Sequence, residues 1–144
     1  MKAASNFTVR FLERHQQFDA DTGLRIGLWS NDNASQDPPP SGIYFEKLIT
    51  DSAWFGVNRS STVQTRTAAV AGGTTVNTWY RFNIRRVDGS TIGFSIDTGA
   101  EQTLTTNIPT NDLTLFSQVK TNAAAVKQLD VDYVHWWFTG LDRK

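Results

Sequence analysis

Apolar side chains recur at every second position along this chain, and that period admits few folds. Phe7, Val9 and Phe11 alternate with Thr8, Arg10 and Leu12, and Leu24, Ile26 and Leu28 alternate with Arg25, Gly27 and Trp29. A period of two sends successive side chains to opposite faces of a strand, so one face enters a core while the other points outward. Gly42 opens a third strand through Ile43-Tyr44-Phe45-Glu46, and Ala53 to Asn58 reads as a fourth. Ser61 to Thr67, rich in threonine and serine, suits a less buried edge strand.

Register sharpens this reading in the middle of the chain. Tyr80, Phe82 and Ile84 alternate, as do Ile92, Phe94 and Ile96, around Val87-Asp88-Gly89-Ser90-Thr91. A two-residue Asp-Gly turn would pair Val87 with Ser90 and put the two apolar sets on opposite faces. An odd loop pairs Ile84 with Phe94 and Phe82 with Ile96, which brings them to one face. A slip of one residue reverses every side chain, so the odd loop is expected.

Gln102 to Thr105 and Leu113 to Phe116 are short extended pieces, and Asn107 to Asp112 is a loop around Pro109. Thr121 to Gln128 is expected to form one or two helical turns, with Asn122 as cap. The closing strand alternates Leu129, Val131, Tyr133, His135 and Trp137 with Asp130, Asp132, Val134, Trp136 and Phe138, and is expected at the centre of a sheet. Pro38-Pro39-Pro40 stiffens the connection from Asn31 to Ser41, and Gly72-Gly73 marks a turn. About ten strands in one domain point to an all-β, two-layer antiparallel β-sandwich.

Composition narrows the function. The 144 residues are read as one domain, 1–144, able to bury a core without disulfides or a metal staple. There is no cysteine, hence no thiol nucleophile and no zinc finger. Fourteen basic and fourteen acidic residues cancel, which argues against a duplex nucleic-acid partner; Arg81, Arg85 and Arg86 are read as solvated strand residues. No apolar run approaches the roughly 18 residues of a membrane span. Met1 to Ser5 lack the apolar stretch of a signal peptide, and the domain is read as part of a longer or multimeric surface protein. Asn6, Asn33 and Asn58 begin Asn-x-Ser/Thr triplets.

The chemistry-bearing motifs are sparse. No phosphate loop, dinucleotide loop, zinc helix or nucleophile elbow occurs, and no cofactor is expected. His15 and His135 are too few for a histidine-rich metal site and are read as ordinary core or surface residues. Asp19 with Asp21, and Asp130 with Asp132, are weak calcium candidates without a complete loop signature; a plain turn is the alternative. Glu46 stands in an aromatic strand, either lining a cleft or facing outward. Trp29, Trp79 and one of Trp136 and Trp137 fall off the main apolar faces, so some rings must lie outside the core unless a second layer, long loops or neighbouring subunits cover them. Trp29, Trp54, Glu46, Trp79 and Trp136 are therefore the candidate ligand-binding residues, since aromatic rings stack on sugars, peptides or partner proteins.

The series Gly42 to Glu46, Ala53-Trp54-Phe55, Trp79 to Ile84, Ile92 to Asp97 and Leu129 to Val134 resembles the concanavalin A-like lectin and glucanase jelly roll. More narrowly, it is similar to sandwich domains in tail, fibre and head-surface proteins of tailed bacteriophages. The resemblance spans about residues 7 to 139. The glucanase acid run, Glu-x-Asp-x-Glu, is missing: Asp130 and Asp132 lack both glutamates. The metal loop of legume lectins is missing too. The phage likeness implies a non-catalytic structural domain on a virion surface, or extracellular. It would contact other virion proteins or itself, for instance as a homotrimer. Two alternatives stand beside it: a carbohydrate-binding module for a host-surface glycan, and a divergent glycoside hydrolase or lyase. One fold hosts many functions, so the site must decide.

Overall fold

The computed structural model describes residues 6–30 and 37–139. Ten strands follow in chain order: β1 (Asn6–His15), β2 (Thr22–Trp29), β3 (Gly42–Lys47), β4 (Trp54–Ser60), β5 (Val63–Val70), β6 (Tyr80–Asp88), β7 (Thr91–Ile96), β8 (Gln102–Leu104), β9 (Thr114–Thr121) and β10 (Leu129–Thr139). They form two five-stranded antiparallel sheets, β10-β1-β6-β7-β8 and β5-β4-β3-β2-β9, stacked as a jelly-roll sandwich. No helix occurs among the described residues, so none could cross a membrane.

The alternation places the core where it was expected. Phe7, Val9 and Phe11 of the first sheet meet Leu24, Ile26, Leu28, Ile43 and Phe45 of the second, all buried. The Phe45 ring packs edge-on against Phe82 at 5.0 Å and Phe94 at 5.4 Å. Each such side chain contributes on the order of 1.5–3 kcal/mol by leaving water.

The β6–β7 register pairs Phe82 with Ile96 and Ile84 with Phe94, as the shared face requires. The odd residue is accommodated by a bulge: Asp88 pairs with Thr91 around Gly89-Ser90, and the register shifts at Val87.

Two placements differ from the sequence reading. The closing strand β10 is an edge strand paired only with β1. Its face toward the interior overhangs a seam beside β9, a groove of about 300 Å³ lined by Phe11, Ile26, Leu115, Phe116, Val131 and Val134. Thr121 to Gln128 forms no helix. Its backbone is tied elsewhere, Asn122 N–H to the Asp21 carbonyl at 3.1 Å and Gln128 N–H to Gln17 Oε1 at 3.2 Å, and so short a helix has little to offset its nucleation cost. Asn58 is fully buried, and its amide donates to the Thr106 carbonyl at 3.1 Å, which closes it to a glycan; Asn33 lies outside the described residues.

Candidate functional site

The outer face of the second sheet is built in cross-strand rows, because directly paired residues share a face. One row runs Thr114, Trp29, Gly42, Arg59, Gln64; the next Phe116, Gly27, Tyr44, Val57, Arg66; the third Gln118, Arg25, Glu46, Phe55, Ala69. The glycines make room for rings to lie across the strands. A Cβ on Gly27 would stand 2.6 Å from the Tyr44 Cβ, and one on Gly42 2.8 Å from the Trp29 Cβ. Trp29 accordingly lies against Phe116, centroids 3.6 Å apart, and edge-on to Tyr44 at 5.7 Å. With Val57 these rings form a second apolar cluster outside the main core.

The third row has a buried charge pair at its centre, Arg25 and Glu46. Arg25 Nε donates to Glu46 Oε2 at 2.8 Å, and Arg25 Nη1 donates to Gln118 Oε1 at 2.7 Å and to Asp37. Lys120 Nζ donates to the other Asp37 oxygen at 2.6 Å. On the far side of Glu46, Arg66 Nε stands 3.3 Å from Oε1, while its Nη2 reaches Asp51. Arg59 donates to Gln64 Oε1 at 3.0 Å. Burial works against the charge of Arg25, but Glu46 and Asp37 beside it outweigh that and raise its pKa. Burial likewise opposes ionisation of Asp37, and the hydrogen bonds from Lys120 and Arg25 prevail, so its carboxyl titrates below the usual range. Burial, helped by the Glu46 charge, raises the Tyr44 phenol. The Tyr44 hydroxyl and Arg59 Nε are buried without a hydrogen-bond partner.

Residues 37–41 run over this face. Thr62 N–H donates to the Pro40 carbonyl at 2.9 Å, Ser30 N–H to the Ser41 carbonyl at 3.0 Å, and Asp37 reaches Arg25 and Lys120. At the Asp37 end a pocket of about 70 Å³ opens between Gly23, Arg25, Asp37, Leu48, Gln118 and Lys120. That leaves room for several water molecules or for one polar substituent of a ligand.

The candidates named from the sequence scatter. Trp29 and Glu46 share this face, but both are buried. Trp29 is floor rather than open platform, and Glu46 neither lines a cleft nor faces solvent, because arginines on both sides enclose it. Trp54 belongs to the core: its ring packs on Phe82 at 5.0 Å and its Nε1 donates to the Gly73 carbonyl at 2.7 Å. Trp79 is 40% exposed beside Arg14, whose guanidinium sits 4.8 Å from the ring centroid. Trp136, 44% exposed, pairs with Val9 on the edge strand β10 of the first sheet, away from the charged row of the second.

In each pair of calcium candidates one carboxylate is otherwise engaged, Asp19 in the first and Asp130 in the second. Asp19 accepts from Asp21 N–H and the Thr22 hydroxyl and pairs with Lys127. Asp130 pairs with Arg14, and the strand register shifts beside Asp132. No group of three or more His, Asp or Glu side chains suited to a metal ion occurs among the described residues.

Sequence reasoning missed Arg25, Asp37, Gln118 and Lys120. The signal for Arg25 was present, since it alternates outward between Leu24 and Ile26. The others had none, because Asp37 lies in a loop and β9 carries only a weak pattern.

A solved domain with the same layout is the carbohydrate-binding module CBM66 from Bacillus subtilis, with a TM-score of 0.56 at 10% identity over 92% of this chain and 74% of that one. This likeness gives the fold. It also corrects the bacteriophage and virion assignment: the similar structure is a bacterial binding module, and a two-sheet alternation is common to both kinds of protein, so the period could not tell them apart. No curated protein matches the sequence. A family model described as SO2946-like, C-terminal domain, covers residues 1–132, and the protein belongs to that family.

Proposed function

We propose that this domain binds a glycan through the outer face of its second sheet. The observation that carries the reading is the convergence of Arg25, Gln118 and Lys120, bridged by Asp37, on one pocket whose apolar lining is Leu24, Leu48 and Ile49. Guanidinium, ammonium and amide groups offer the mixed donors and acceptors that adjacent sugar hydroxyls require, and fixed polar groups beside apolar surface are the usual make-up of a small-molecule site. Strands β2 and β9 hold Arg25 and Gln118 side by side, so little ordering is left to binding. The carbohydrate-binding fold supports the same reading, and such a domain would work outside the cell or at its surface.

A glycan array followed by calorimetry tests it. The wild-type domain should retain at least one saccharide class, and Gln118→Ala should weaken that binding about tenfold, or about 1.4 kcal/mol, with an unchanged melting temperature. An empty array, or full binding by the variant, would overturn the proposal.

A further inference from the structure

We infer that the Asp37 carboxylate occupies the subsite of a sugar carboxylate, so that the glycan bound here is acidic. This rests on the glycan-binding reading and extends it to a ligand class. Asp37 is not a strand residue; it enters the site from the proline-rich connection. Its two oxygens are taken by different cations, one by Arg25 and the other by Lys120 at 2.6 Å. Arg25 is itself fixed by Glu46 at 2.8 Å and Gln118 at 2.7 Å. A guanidinium held from two sides, with an ammonium across a carboxylate's width, is a carboxylate receptor whether or not the carboxylate belongs to this chain.

Charge points the same way. Arg25, Arg59, Arg66 and Lys120 are the cations of this face, and Glu46, Asp51 and Asp37 its carboxylates. Among the described residues Lys120 pairs with no other carboxylate, and Arg59 pairs with none. If Asp37 swings out, two cations lose their shared anion, and a ligand carboxylate entering the pocket restores the balance. A neutral sugar would not. The subsite is also reachable: the Lys120 side chain is 54% exposed and that of Asp37 25%.

Calorimetry on the intact domain tests this with oligosaccharides of galacturonate, glucuronate and mannuronate and with their methyl esters. At least one acidic oligosaccharide should bind, and its ester should bind at least tenfold more weakly. Asp37→Ala, which removes the competing carboxylate, should tighten acidic binding by about tenfold, and Lys120→Met should weaken it by a similar factor. Thermal unfolding of both variants shows whether the fold is kept, and Asp37→Asn serves as the near-isosteric second variant. Unchanged or weaker acidic binding by folded Asp37→Ala and Asp37→Asn overturns the inference. So does equal retention of dextran sulfate, which marks unspecific charge attraction. Equal affinity for acid and ester overturns the acidic subsite and leaves glycan binding standing, whereas no binding of any saccharide, acidic or neutral, removes both.

Discussion

Arg25 Nε lies 2.8 Å from Glu46 Oε2, and both side chains are shut away from solvent on what is formally the outside of a sheet. A buried ion pair of this kind is weak as a stabiliser but costly to break, because the remaining charge has lost its water. Arg25→Ala should therefore destabilise the domain by about 3 kcal/mol, with Arg66 and Gln64 still moderating the Glu46 charge. Urea unfolding of the variant, and of Arg25→Ala with Glu46→Gln, measures it; the double variant should recover part of the loss.

Trp54 was a candidate contact residue and is instead the largest fully buried side chain. Trp54→Ala should cost roughly 3–5 kcal/mol through the cavity it leaves and the orphaned Gly73 carbonyl. A urea midpoint close to that of wild type would show the ring is not part of the core.

Gly56 faces the Phe94 ring across the sandwich, and a Cβ there would stand 2.3 Å from Phe94 Cγ. Neither backbone nor ring can yield freely in a packed interior. Gly56→Ala should cost about 1–3 kcal/mol by overpacking. Differential scanning calorimetry of the variant reads the effect, and Phe94→Leu in the same chain should relieve part of it.

Glu13 and His15 point into the sandwich from one strand, fully buried, with Nδ1 3.1 Å from Glu13 Oε1. Burial raises the Glu13 pKa above its usual 4.5, more than the His15 hydrogen bond lowers it. A carboxyl whose folded pKa exceeds the unfolded one adds stability that is complete below the unfolded pKa and is lost as pH rises through the folded one. Glu13→Gln should thus gain stability on wild type as pH climbs from 4 towards 8. Denaturation at several pH values checks this; a constant difference between the two proteins would show that Glu13 does not titrate late.

The β6–β7 register was legible because one alternative would have put Phe82 and Phe94 on opposite faces, and hydrophobic burial penalises that heavily. The position of β10 was not. Apolar residues on both its faces suggested a central strand, but the same pattern serves an edge strand whose inner side overhangs an open seam. Trp54-Phe55 was ambiguous for a related reason: either ring could have faced inward, and only the Trp54 contacts with Phe82 and Gly73 settle it.

By itself the sequence determined which positions alternate, and so the two sheets, the identity of most core residues and the outward placement of Arg25 and Trp29. Only the tertiary structure decided that these outward residues are buried. Burial depends on what lies over a face, and here residues 37–41, remote from β9 in sequence, cross the second sheet and carry Asp37 between Arg25 and Lys120. Chain period encodes which side a residue takes; it carries no information about what covers that side.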